Sequence, residues 1–384
     1  MSTIESLRDQ FLLDPGVIFF NHGSFGATPR PVFDSYQRWQ RELERQPVEF
    51  LGRRKDALLC QAREALGKFL GARAENLVFV TNATVGLNIV AASLHLAPGD
   101  EVLATDHEYG AVDRTWVFHA RSQGYKYINH PLRVPVSTAD DFVENLWEGV
   151  TPHTRVISIS HITSPTALIF PIREVCRRAR EAGILTIIDG AHAPGQIPLD
   201  LEALGCDFYT GNLHKWLCAP KGSAFLYARP ELHHLIEPLI VSWGWQPDAP
   251  SPRPLIDYVE WQGTRDLAAF LAVPDAIQFQ QEHDWSSVRA RCHRLAASAR
   301  DCIAEMFQTQ PLSPSSTEWF SQMVGAPLPA GIDPVRVQQR LLAEHAIEIP
   351  VLAWNDHNLA RISVQAYNTQ EQVNTLIEAL RQVI

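Results

Sequence analysis

A chain of 384 residues, 46% of them hydrophobic, is long for one core and predicts two subdomains with ample apolar material to fill them. Its net charge of -10 argues against nucleic acid or a membrane surface as partner, since both select basic patches. Six cysteines, at 60, 176, 206, 218, 292 and 302, form no CxxC pair, which points away from a zinc knot or a disulfide framework and toward reduced thiols in the cytoplasm. The amino-terminal stretch MSTIESLRDQFLLD carries acidic residues and no apolar core, so it does not read as a signal peptide. No apolar run is long enough to span a bilayer.

Regular alternation begins near residue 77. LVFVT (77–81) reads as a strand, and NATVGLNIVAASLHL reads as the helix that follows it and stops before Pro98-Gly99-Asp100. Further strands are predicted at EVLAT (101–105), RVISIS (155–160), ILTIID (184–189), DFYTG (207–211) and SAFLYA (223–228), with helices at 110–123 and 171–182. Apolar strands alternating with helices mean an α/β fold with a largely parallel sheet covered on both faces. Long helices are expected over 266–308, a loop at 311–316 and a late strand at ISVQA (362–366). The expected division is an N-terminal segment (1–20) packing near a small domain, a large domain (21–265) and that small α+β domain (266–384).

Ligands of such sheets bind beyond the carboxyl ends of the strands. The residues there are polar and titratable: 82–84, 106–109, 161–166, 189–192 and 212–215. Basic residues in this chain are mostly arginine, with lysine only at 55, 68, 126, 215 and 221. Lys215 nevertheless sits in a tight, mostly uncharged turn, GNLHKWLCAPKGSAFLY, which raises the question of an amine needed as an amine. Two chemistries fit. A metal could use His107, His161, His192 and His214, although no HxH or HxxxH pair sets two ligands together. The other chemistry is a Schiff base between Lys215 and an aldehyde, with pyridoxal 5'-phosphate (PLP) as the candidate. NATVG would open a helix toward the phosphate, with Thr84 adding a hydroxyl. Asp189 would keep a pyridine nitrogen protonated, and His192 would reach the ring oxygen or a carboxylate.

The ordered set NATVG, DHEYGA, DGAHAPGQ, GNLHKWLCAPKGSAFL, WQGTRD and ARISVQAYNT resembles the class V aminotransferase group of fold-type-I PLP enzymes, from about residue 17 almost to the end. FFNHGSFGATPRPV (19–32) looks most like the isopenicillin N epimerase branch, which includes hercynylcysteine sulfoxide lyases. The resemblance implies a mostly parallel sheet of the seven-stranded type with helices on both faces, plus a smaller C-terminal domain. It implies that Lys215 is the Schiff-base lysine, Asp189 the partner of the ring nitrogen, and His192 with Ser164 neighbours of the ring oxygen. Tyr109 or His107 would stack on the ring. Ala83, Thr84, Asn212 and His214 would hold the phosphate, and Thr264 would join them from the other subunit of a homodimer. Arg361 would clamp the substrate carboxylate, with Asn21, His22 and Ser24 lining the substrate side. Where desulfurases of this group carry a mobile cysteine, this chain reads SQMVGAPLPAG (321–331), which argues against persulfide chemistry.

The expected activity is therefore an amino-acid epimerase or C–S lyase, with Lys215 removing the Cα proton. Transamination and desulfurase-like chemistry stand as alternatives within the family. A metal-dependent hydrolase or a cofactor-free scaffold protein stand as alternatives outside it.

Overall fold

The computed structural model describes residues 4–248 and 253–384. Its centre is a seven-stranded sheet whose strands, in spatial order, begin at residues 77, 224, 208, 185, 154, 101 and 126. All neighbours run parallel except Ala224–Ala228, which is antiparallel to both Leu77–Val80 and Phe208–Asn212. Leu77–Val80, Glu101–Thr105, Phe208–Asn212 and Ala224–Ala228 are buried at every position. Successive side chains enter opposite cores. Phe79, Leu103 and Ile188 pack into one cluster, while Val78, Val80, Val102 and Ile187 pack into the other.

Each strand predicted for this sheet is present within a residue or two. One strand of the sheet was missed, Lys126–His130. It lies on the sheet edge and none of its residues is buried, so it lacks the apolar run that marked the others. The predicted helices at 110–123 and 171–182 are Gly110–Gln123 and Ile172–Glu181. The region 266–308 is three helices, Ala268–Leu271, Val273–Glu282 and Trp285–Phe307, with Asp284 at φ 44° separating the last two. The stretch 311–316 is irregular, as expected.

Parallel pairing brings the carboxyl ends of several strands to one rim. Ser160 stands opposite Asp189, and Asp189 opposite Thr210. The helix Ala83–Ser93 starts at the same rim, where Asn82 caps it by accepting the Val85 N–H at 2.9 Å. It lies against the sheet because residue 86 is glycine: a Cβ there would stand 2.2 Å from Thr210 Oγ1.

A three-stranded antiparallel sheet follows, in the order Val351–Trp354, His357–Ser363, Met323–Leu328. The late strand expected at 362–366 thus begins five residues earlier and leaves its ladder after Ser363, the last residue paired with Met323–Leu328. The start of the chain joins this region, with Ile18–Phe19 parallel to Ile347–Glu348 and Asn21 bridged to Ser363. No helix among the described residues is long and apolar enough to cross a membrane.

Under the first strand, Arg63 and Glu260 form a buried ion pair, and Glu260 also accepts the Phe79 N–H at 3.3 Å. Taking away one partner strands a charge out of water, which costs about 3–5 kcal/mol. Arg63→Met is expected to lower the free energy of unfolding by about that much in chemical denaturation. A loss below about 1 kcal/mol would mean that desolvation already cancels the attraction.

Candidate active site

The rim borders a cleft of about 340 Å³ that contains Lys215, Asp189, His192, His214, Asn212 and Thr84. Lys215 is placed by the connection between two antiparallel strands, Phe208–Asn212 and Ala224–Ala228. That connection is pinned by Leu213 N–H to Ser223 O (3.1 Å), Cys218 N–H to Lys215 O (3.0 Å) and Ala219 N–H to Leu213 O (3.1 Å). His22 supports it from behind, donating from Nε2 to Lys215 O at 3.0 Å while Nδ1 accepts the Tyr367 hydroxyl at 3.0 Å. Gly26 makes this approach possible, since at φ 69° a Cβ there would sit 1.9 Å from His214 O.

Lys215 Nζ lies 3.1 Å from His192 Nε2. Burial, then the Arg361 charge, bring the amine down to about 7, against the pull of Asp189. His192 is held well below the usual histidine range by burial and then by Lys215. Asp189 closes the deep end. It is raised by burial, with the Ala191 N–H at 2.9 Å and the Lys215 charge working against that rise. A buried carboxylate with one N–H donor invites a cationic partner in the cleft.

At the start of the helix Ala83–Ser93, two backbone donors are already taken by side chains. Asn82 occupies the Val85 N–H, and Asn212 Oδ1 takes the Ala83 N–H at 2.8 Å. What remains to donate to an anion is the Thr84 N–H and hydroxyl and the NH₂ group of Asn212, beside the neutral ring of His214, which is lowered to about 4 mainly by burial and spends its N–H on Ser223 O at 3.2 Å. Arg361 enters from the three-stranded sheet. Its guanidinium donates to Ser164 O (2.8 Å), Ser164 Oγ (3.2 Å) and Ser24 Oγ (3.0 Å), and its buried Nε has no partner among the described residues. Ser24 and Ser164 line the cleft, so the guanidinium sits immediately behind its wall.

Other expected site residues lie elsewhere. Asn21 stands behind Ser24, accepting its hydroxyl at 2.5 Å and donating to Glu348 at 2.9 Å. His22 is fully buried beneath the lysine turn. Tyr109 reaches the mouth of the cleft, half exposed. His107 does not: its ring is buried against Trp354 at 4.3 Å and its Nδ1 meets Thr166 Oγ1 at 2.7 Å. Asp106 is drawn the same way, holding Trp354 Nε1–H on its carbonyl (2.8 Å) and Asn355 on its carboxylate (2.6 Å). Thr264 lines a separate surface recess with Gln40, Leu43 and Leu51. The four histidines offered to a metal are each engaged separately, His161 with the Tyr209 hydroxyl at 2.9 Å. Among the described residues no three metal-binding side chains come together.

The sequence reading passed over Glu108 and Ser160. Glu108 is buried and accepts the hydroxyls of Thr105 and Ser160, each at 2.6 Å; burial raises its carboxyl to about 8. Ser160, on the cleft wall, was visible only as the last residue of a predicted strand.

An amine that loses its proton near neutrality, a buried carboxylate short of a cation, and a hydroxyl–amide–imidazole group at a helix start fit an aldehyde, a ring cation and a phosphate in one molecule. Known proteins agree with that geometry. The chain is 39% identical to isopenicillin N epimerase of Amycolatopsis lactamdurans over 98% of its own length and 97% of that protein's. It is 36% identical to the isopenicillin N epimerase of Streptomyces clavuligerus, with the same two coverages. Its fold matches the apo structure of a cysteine desulfurase from Thermococcus onnurineus at a TM-score of 0.84 and 19% identity, covering 100% of this chain and 98% of that one. The profile of the aminotransferase class-V family matches residues 19–376, and the chain belongs to that family.

Proposed function

We propose that the chain is a PLP-dependent enzyme acting at Cα and Cβ of an amino acid or amino-acid derivative, as an epimerase or C–S lyase. The observation that carries this reading is the Lys215 amine, brought to about 7 by burial and 3.1 Å from His192, in one cleft with the buried Asp189 carboxylate. The likeness to two isopenicillin N epimerases supports the epimerase–lyase branch.

When bound, PLP supplies the aldehyde for the lysine and a protonated ring that takes up the electron pair left at Cα. Asp189 would keep that ring nitrogen protonated, with the Ala191 N–H holding its carboxylate. Thr84, Asn212 and His214 would form the phosphate end, with the Ala83 N–H orienting the Asn212 amide. His192, with Ser164 lining the same cleft, would hold the ring oxygen, and Tyr109 would cover the ring. Arg361 receives the substrate α-carboxylate, with Ser24 and Ser164 holding the guanidinium plane. Lys215, as an unprotonated amine, would take the Cα proton of the bound substrate. Inversion also needs a proton donor on the opposite face. Tyr109 is the candidate, because His107 is packed outside the cleft.

Persulfide transfer is disfavoured: no cysteine lines the described cleft, and Cys292 is buried on the helix Trp285–Phe307. Six unpaired cysteines suit a reducing cytoplasm. The isolated position of Thr264 suits a homodimer in which it completes the partner's phosphate site.

Borohydride reduction of the yellow protein followed by peptide mapping is expected to label Lys215. A label on Lys221 alone would refute the assignment. With cysteine, cystine, alanine and α-aminoadipyl peptides as substrates, solvent deuterium entering Cα with inversion identifies an epimerase, and release of sulfur with pyruvate identifies a lyase. Dominant keto-acid-dependent amino transfer would contradict the branch.

Arg361→Lys is expected to raise KM and lower kcat together. The combined loss in kcat/KM should be about ten- to a hundredfold, because a point charge cannot hold the carboxylate plane and such bonds are worth roughly 1.5–3 kcal/mol. In a mixed dimer of Lys215→Ala and Thr264→Ala chains, one intact site should restore part of the activity. Absence of rescue would place the whole site within one chain.

A further inference from the structure

Lys215 and Trp216 are neighbours in the chain, and both turn toward the same imidazole. Lys215 Nζ is 3.1 Å from His192 Nε2, and Trp216 Nε1 is 3.2 Å from His192 Nδ1. An indole N–H only donates, so Nδ1 has to present its lone pair. A neutral imidazole then carries its one proton on Nε2, pointed at the lysine. An ammonium group has no lone pair to accept that N–H, whereas a free amine has one.

The arrangement is held firmly. Trp216 is fully buried, its ring lies against His22 at 5.0 Å between centroids, and its carbonyl accepts Gln280 Nε2–H at 2.8 Å. The His192 carbonyl is tied down by Gln196 Nε2–H at 2.7 Å. Among the charged and titratable groups around the pair, Asp189 favours a proton on the amine and Arg361 opposes it. Arg361, His214 and His22 oppose positive charge on His192, and Lys221 opposes it on His22 and His214.

We infer that Trp216 is a positioning residue: its N–H holds the His192 proton on Nε2, and His192 in turn holds Lys215 as the unprotonated, nucleophilic amine. This inference rests on the reading of Lys215 as the reactive lysine. It deepens that reading by assigning the lysine's state to a neighbour that does not itself line the cleft.

The test uses the full-length chain with its cofactor removed. Two quantities are read: the tautomer of His192, by nitrogen NMR with ¹⁵N-histidine and His192→Gln for assignment, and the rate at which acetic anhydride acylates Lys215 across pH, by peptide mapping. Two altered proteins are compared with the parent. One is Trp216→Phe; the other carries benzothienylalanine at 216, which keeps the bicyclic shape and lacks the N–H, and so decides the matter if the phenylalanine variant folds poorly. The parent should show His192 with its proton on Nε2. In the altered proteins the Nδ1–H form should appear, and acylation at neutral pH should slow about three- to tenfold, the worth of one hydrogen bond. An unchanged acylation rate in the benzothienylalanine protein overturns the inference whatever the NMR shows. If borohydride still traps the cofactor on Lys215 there, this inference fails alone. Trapping on another lysine would overturn it together with the function proposed above.

Discussion

A lysine taken out of water either keeps its proton beside a carboxylate or gives the proton up. Asp189 draws the proton toward Lys215, but burial and the guanidinium of Arg361 outweigh it, and the amine settles near neutrality. Much of the site follows from keeping that balance. His192 is neutral because it is buried beside Lys215, His214 is neutral for the same two reasons, and His22 spends its N–H on the lysine's own carbonyl. Cationic histidines at these positions would add charge to a region where the Arg361 charge already works against a proton on Lys215.

The two sheets contribute different things. The seven-stranded sheet sets Ser160, Asp189 and Asn212 at its rim through backbone pairing, so their spacing is that of the ladder. The three-stranded sheet supplies Arg361, and the start of the chain supplies Ser24, the partner that turns the guanidinium. Residues more than three hundred positions apart in sequence thus share one wall of the cleft.

The strands were legible because burial on both faces leaves continuous apolar runs, and Lys126–His130 was not, being a solvated edge. That Lys215, Asp189 and His192 share one cleft was legible from their places at or just after strand ends, whereas Arg361, inside His357–Ser363, was named only through the resemblance. The division of labour between His107 and Tyr109 was not, because it depends on Trp354 and Asn355, nearly 250 residues away, pulling Asp106 aside. The helix start read as a row of donors, yet two asparagines consume two of its N–H groups. Asn21 and His22 read as cleft lining from their neighbourhood with Ser24. Within that short helical turn each side chain takes its own direction, and of these three residues only Ser24 meets the cavity.

The grip of Trp354 and Asn355 on Asp106 has a mechanical consequence. Both belong to the hairpin that carries Arg361, and Asp106 lies three residues before Tyr109. Any tilt of that hairpin would be felt at once by the tyrosine at the mouth of the cleft. The lysine loop, by contrast, is anchored at both ends in the larger sheet. The Arg361 guanidinium and the Tyr109 edge of the cleft are thereby tied to one element of the smaller sheet.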